Sequence, residues 1–209
     1  MTSRQDLEAI TNESLGRRLR ELRLRSGKSL RAVARELGIS ASAVSQIERG
    51  TMRPSVSRLI AFVSAIGAPL AAVFDTPGAA PVRTGAASAD LPPDLPATVA
   101  VRRACEIAPI ELAGGVLFRR LSPAATPDVE FFESTYPPRA VSTAHGRFLK
   151  HDGYEVGTVT AGELTIEFEN EVITLAAGDS VTFPCSRPHI IGNRSETVTA
   201  VATWLIVHR

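Results

Sequence analysis

A chain of 209 residues, 44% hydrophobic and 22% charged, holds apolar material for two modest domains. Its net charge of +1 by itself argues for no polyanionic partner, but the balance is uneven: residues 1–76 carry 12 Lys or Arg against 7 Asp or Glu, and residues 77–209 carry 11 against 15. No run approaches a membrane span and Cys105 and Cys185 form no Cys-x-x-Cys pair, so a cytoplasmic protein with no membrane partner, disulfide framework or zinc knuckle is expected.

Residues 1–11 are polar. From Asn12, Leu15, Leu19 and Leu22 mark one helix face, with Arg17, Arg18, Arg20, Arg23 and Arg25 spread over the rest and read mostly as solvated surface; Gly27 ends the helix. Residues 29–50 then spell two short helical patterns, opened by Ser29 and Ser40 and closed by Gly38 and Gly50. Each serine oxygen can accept from a backbone N–H that a helix start leaves unpaired, and each glycine suits the left-handed residue that ends a helix. Leu30, Val33, Ala34 and Leu37 form one buried face, and Val44 and Ile47 the other. At 100° per residue, Ser42, Ser45, Gln46 and Arg49 fall opposite Val44 and Ile47, with Ala41 at the N-terminal edge.

Two helices joined by so tight a turn predict a helix-turn-helix whose second helix enters a major groove; the alternative is an ordinary helical hairpin with a solvated face. Gln46 can pair bidentately with adenine, and Ser42 and Ser45 with either base type. After the loop Thr51–Pro54, Ser55 caps a helix carrying Leu59, Ile60, Phe62, Val63 and Ile66 inward; Gly67 stops it, and Pro69 fits the first turn of a short last helix.

Residues 15–75 resemble the lambda-repressor-like DNA-binding domain of the Xre family. The resemblance rests on Ser29-Leu30-Arg31, Gly38-Ile39-Ser40, Val44 through Gly50 and Arg53-Pro54-Ser55, and extends through Leu59, Ile66, Gly67, Pro69, Leu70 and Val73-Phe74. It implies a five-helix domain over residues 12–75 that binds a double-stranded operator. Base contacts would come from Ala41, Ser42, Ser45 and Gln46 and phosphate contacts from Arg49, Thr51 and Arg53. Ser29, Arg31 and Ser40 complete the candidate DNA-binding set. One short reading helix covers few base pairs, so a homodimer on a pseudo-palindrome is expected.

Residues 76–97, with five prolines and two glycines, read as a linker. From Thr98 to the end, short β-branched or aromatic runs follow: 99–103, 116–121, 129–133, 155–160, 163–168, 171–175, 180–183 and 198–207. With no helix long enough for a crossover, they predict an antiparallel sandwich or barrel, making the whole a multidomain α plus β protein.

His151, Glu155 and Gly162, followed by Gly178-Asp179, Pro184, His189 and Asn193, are similar to the two motifs of the cupin fold, a double-stranded β-helix or jelly roll. Leu149 stands where the first motif has its leading histidine. The resemblance implies a small-molecule pocket over residues 98–209, with His151, Glu155 and His189 left to hold a divalent metal such as Zn, Fe, Mn or Ni. Alternatively, the three line a metal-free polar pocket. Cys185 is read as a small buried apolar side chain, His145 as a turn residue and His208 as solvated. Arg139, Arg147 and Arg187 are cations that could meet an anionic effector at the pocket rim.

Together these features predict a non-enzymatic transcriptional regulator whose cupin domain binds an effector and helps dimerise. The alternative is a metal-dependent cupin enzyme, a dioxygenase or isomerase, with a DNA-binding domain; no general base stands beside the triad, which counts against it. An antitoxin-like module using the helices for a protein partner would leave the barrel unexplained.

Overall fold

The structure, a computed structural model, describes residues 10–74, 99–101, 103, 108–124, 126, 128–143 and 146–208. The expected linker, Cys105 and His145 lie outside the described residues.

The helical unit consists of α1 (Asn12–Arg25), α2 (Leu30–Leu37), α3 (Ala41–Glu48) and α4 (Val56–Ala65). Side-chain oxygens of Thr11, Ser29, Ser40 and Ser55 cap the four helices, each accepting from an amide three residues on. The expected fifth helix is instead a five-residue 3-10 helix, Leu70–Phe74. Pro69 brings no amide donor, and Ala72 N–H already bonds Pro69 O three residues back (3.0 Å), so no α-helical ladder starts there.

Gly38 adopts φ 64°, the left-handed conformation that turns the chain from α2 into α3. Gly16 lets α1 lie against the end of α3: a Cβ there would stand 2.4 Å from the Ile47 carbonyl oxygen. Leu15, Leu19, Val33, Val44, Ile47 and Leu59 are almost fully buried, each contributing about 1.5–3 kcal/mol of transfer free energy. Arg23 is not among the solvated arginines. It is buried, with Nη2 donating to Glu48 Oε2 (2.9 Å) and Nη1 to Lys28 O (2.9 Å), and the bond to Glu48 holds its pKa above the usual value against the opposing effect of burial.

The second unit is built from β1 (Ile110–Glu111), β2 (Leu117–Arg120), β3 (Val129–Tyr136), β4 (Tyr154–Ala161), β5 (Glu163–Phe168), β6 (Glu171–Ala176), β7 (Ser180–Pro184), β8 (His189–Gly192) and β9 (Ala200–Val207). One sheet runs β1-β2-β3-β9-β4-β7 and the other β6-β5-β8, with every ladder antiparallel. Along β9, Ala200, Ala202, Trp204 and Ile206 alternate inward, as one buried sheet face requires. The run expected as a strand over 99–103 forms none among the described residues, and Val99 is exposed.

The two units dock directly. Ser57 N–H and its hydroxyl both donate to Ser142 O (2.9 and 3.0 Å), Ala113 N–H donates to Pro54 O (2.9 Å), and Ala71 N–H to Glu130 Oε1 (3.2 Å). The Phe74 ring lies 5.7 Å from Phe132 and 6.3 Å from Phe118. Arg53 of the helical unit is ion-paired with Glu111 of β1.

Candidate functional site

Helix α3 buries Val44, Ile47 and Glu48 and leaves Ser42 and Arg49 exposed, with Ser45 and Gln46 half-buried beside them. Ala41 is half-buried and packs against the core. The hydroxyls of Ser29 and Ser40 accept from the amides of Ala32 (3.2 Å) and Ala43 (3.1 Å), so both serve the helix starts while keeping an O–H to donate. Thr51 donates its hydroxyl to Gln46 O (3.1 Å), closing the end of α3; Arg49 Nε donates to Ser45 O (3.3 Å) and Arg31 is exposed. Of these residues, Arg53 alone is held by the barrel.

In the barrel, His151 precedes β4, Glu155 lies within it and His189 opens β8. Register places Glu155 opposite Phe183, and the bridge between Leu149 and His189 brings the start of the first motif against the second. The three candidate ligands thereby converge, with one ligand atom from each within 4.8 Å of the others. His151 Nε2 is 2.9 Å from Glu155 Oε1, and His189 Nε2 is 3.7 Å from the same oxygen.

Burial opposes protonation of His151, yet the hydrogen bond and charge of Glu155, with the Asp152 carbonyl and charge, raise its pKa overall. Burial lowers that of His189, aided by His151, against the attraction of Glu155. His189 Nδ1 lies 2.9 Å from Arg187 O, which places its proton there and leaves Nε2 as a lone pair. That buried Nε2 has no hydrogen-bond partner and points toward a carboxylate oxygen, an arrangement a cation between them would satisfy. Two imidazoles and one carboxylate fit a divalent metal on donor type. Leu149 adds no ligand: its backbone pairs with His189 (2.9 and 3.0 Å) and its side chain lines the cavity. Asn193 of the second motif is structural, its amide donating to Tyr136 O (2.9 Å) and Val198 O (2.7 Å).

Beside Glu155 and His189 lies a cavity of about 30 Å³, walled by Phe118, Tyr136, Leu149, Trp204 and others. Two of its walls, Val56 and Ile60, come from α4. Helical spacing assigns Ile60 to the core of the helical unit and gives Val56 no role. The available signal was that α4 is apolar on more than one face, burying Val56, Leu59, Ile60, Phe62 and Val63, which requires a partner on each side.

Of the three rim arginines, Arg139 pairs with Glu196 (2.5 Å), and Arg187 pairs with Glu171 (2.5 Å) and lies 3.8 Å over the Phe168 ring. Arg147 instead reaches the helical unit, donating to Gly38 O (3.3 Å). His208, expected to be solvated, faces Glu130 with Nε2 3.6 Å from Oε2.

A helix-turn-helix domain model matches residues 14–73, and a cupin domain model residues 132–206. Over 188 residues the chain is 28% identical to the HTH-type transcriptional regulator PuuR of Escherichia coli (strain K12), covering 89% of this chain and 91% of that protein. The crystal structure of an HTH_3 family transcriptional regulator from Vibrio cholerae overlays with a TM-score of 0.64 at 23% identity, covering 95% of this chain and 97% of that one, and shares the fold. Hydroxypropylphosphonic acid epoxidase from S. wedmorenis overlays more loosely, with a TM-score of 0.44 at 17% identity over 94% of this chain and 99% of that one. The chain thus carries an N-terminal helix-turn-helix domain followed by a cupin domain, and over most of its length it is similar to a helix-turn-helix transcriptional regulator.

Proposed function

We propose that this regulator reads an operator with Ser42, Ser45 and Gln46 of α3, anchors on phosphates through Arg49, Thr51 and Arg53, and binds a small effector in the barrel. The observation that carries this reading is the shared wall: Val56 and Ile60, in the same helical unit as α3, complete the barrel cavity. A cavity of about 30 Å³ has room for roughly one or two waters but not for a metabolite. An effector therefore enters by shifting α4 or its side chains, and α4 carries that shift into the unit that presents α3. Two protomers related by a two-fold axis then change the spacing or tilt of their reading helices.

The experiment selects a preferred duplex from random DNA and measures its affinity with and without candidate metabolites. Emission from Trp204, the chain's single tryptophan and part of the cavity wall, reports occupancy independently. Gln46→Ala is expected to lose about 1–3 kcal/mol of discrimination between the selected and a random duplex. Arg53→Ala is expected to weaken both alike. Equal loss on both duplexes in the glutamine variant refutes the assignment.

The second reading, a metal-dependent cupin enzyme, draws on the cluster of His151, Glu155 and His189 with its orphaned His189 Nε2. Metal analysis of protein purified without chelator, for Zn, Fe, Mn and Ni, decides between a metallated and a metal-free pocket. Substoichiometric metal removes the enzymatic case.

A further inference from the structure

Between the N-terminal turns of α4 and residues 143 and 147–150 of the barrel unit lies a cleft of about 270 Å³, distinct from the barrel cavity. Three cations line it: Arg58 from the helical unit, and Arg147 and Lys150 from the barrel unit. None of its described lining residues is Asp or Glu. Elsewhere the barrel unit neutralises its arginines locally, as in Arg119–Glu133, Arg139–Glu196, Arg187–Glu171 and Arg194–Glu167.

The cleft cations have no such arrangement. Arg58 is half-buried and Lys150 exposed, neither with an acidic partner among the described residues, and Arg147 donates to Gly38 O. Three like charges around one recess repel one another, and no acidic side chain among the described residues lines the recess to relieve them. Two of the three cations, Arg147 and Lys150, come from residues 77–209, which are net acidic, so their clustering does not follow from a generally basic surface.

We infer that this cleft is a binding site for a small anion, a phosphate or carboxylate group, held jointly by Arg58, Arg147 and Lys150. Its lining includes the buried Ser55, Ser57 and Leu149, and its volume of about 270 Å³ suits a small group and not a duplex. Leu149 also walls the barrel cavity on its other side, and Arg147 touches the turn that leads into α3. An anion bridging the two units here would brace the docked arrangement and bear on both the cavity and the reading helix. Nothing in this assignment requires that the barrel bind an effector or that α3 read bases, so it stands or falls separately from the proposed function.

The test is calorimetric titration of the full chain with inorganic phosphate, and separately with succinate, at matched ionic strength against chloride. Saturable binding of at least one of the two, at one anion per chain and with a dissociation constant below about 10 mM, is expected. Arg58→Ala and Lys150→Ala should each weaken it by about fivefold, the upper range for a solvent-facing ion pair, and Arg58→Ala/Arg147→Ala should abolish it. Arg194→Ala, paired with Glu167 outside the cleft, should leave it unchanged, and circular dichroism confirms that each variant folds. Absence of saturable binding by either anion, or binding that survives in the double variant, overturns the inference. So does a loss of random-duplex affinity in Arg58→Ala without any small-anion binding, which would make the cluster a contact for the DNA backbone.

Discussion

Glu111→Gln should strengthen DNA binding, although Glu111 lies on β1 and outside the helix-turn-helix. Its carboxylate pairs with Arg53, which we propose contacts a DNA phosphate, so on that proposal carboxylate and phosphate compete for one guanidinium. The two side chains are 46% and 34% exposed, which places the pair with solvent-screened ion pairs worth about 0.2–1 kcal/mol. Removing that competition predicts roughly a 1.5- to 5-fold gain in affinity, since 1.4 kcal/mol corresponds to about tenfold.

The gain should appear on selected and random duplexes alike, because a phosphate contact carries no sequence information. Freeing one more cation should also steepen the dependence of log affinity on log salt by up to about 0.9. Fluorescence anisotropy of a labelled duplex across a salt series measures both. Loss of a negative charge near DNA also acts at a distance, so the decisive comparison repeats Glu111→Gln in an Arg53→Ala background, where the gain should shrink to that residual. An unchanged affinity in the single variant, or the full gain without Arg53, refutes the competition.

Glu48→Ala strips the buried Arg23 guanidinium of its carboxylate and should destabilise the helical unit by about 3–5 kcal/mol, read as a lowered denaturant midpoint. Cys185 is fully buried, and burial followed by the negative charge of Glu155 pushes its thiol pKa up to about 12. Thiolate is then negligible throughout the neutral and mildly alkaline range, and peptide mapping should find Cys185 unalkylated at pH 8 in the folded chain and alkylated once denaturant is added. Added Zn²⁺ should raise the melting temperature in a way that chelation reverses and His189→Ala removes; stabilisation that persists in that variant would place the metal elsewhere.

What could be read without coordinates was local. Ser29, Ser40 and Ser55 cap helices through bonds spanning three residues, and Gly38 needs its left-handed conformation because of its immediate neighbours. The run 163–168 coincides with β5, since its alternation is a property of six consecutive residues. Where local signal is thin the reading fails. β1 has two residues and β8 four, too few for a period, while the β-branched run at 99–103 finds no strand partner among the described residues. The last helix of the first unit shortens to a 3-10 turn because five residues after a proline cannot sustain α-helical bonding.

The barrel triad was legible as spacing, but its chemistry was not. Only the fold brings His189 Nε2 to face Glu155 and fixes the ring's other nitrogen on the Arg187 carbonyl. The three rim arginines look alike as sequence, yet two are neutralised by glutamates and the third joins a cluster with Arg58 and Lys150.

By itself the order of residues determined two units, the helical turn in the first, the strands of the second and the identity of the three convergent donors, because each is written in contacts between near neighbours or in fixed spacing. Tertiary structure alone decided that α4 walls the barrel cavity, that Glu111 holds Arg53 and that a cationic cleft opens between the units. Those features join residues 58 to 150 positions apart. No local periodicity reports which surfaces meet at that range; their meeting depends on how the apolar faces of the two units cover one another.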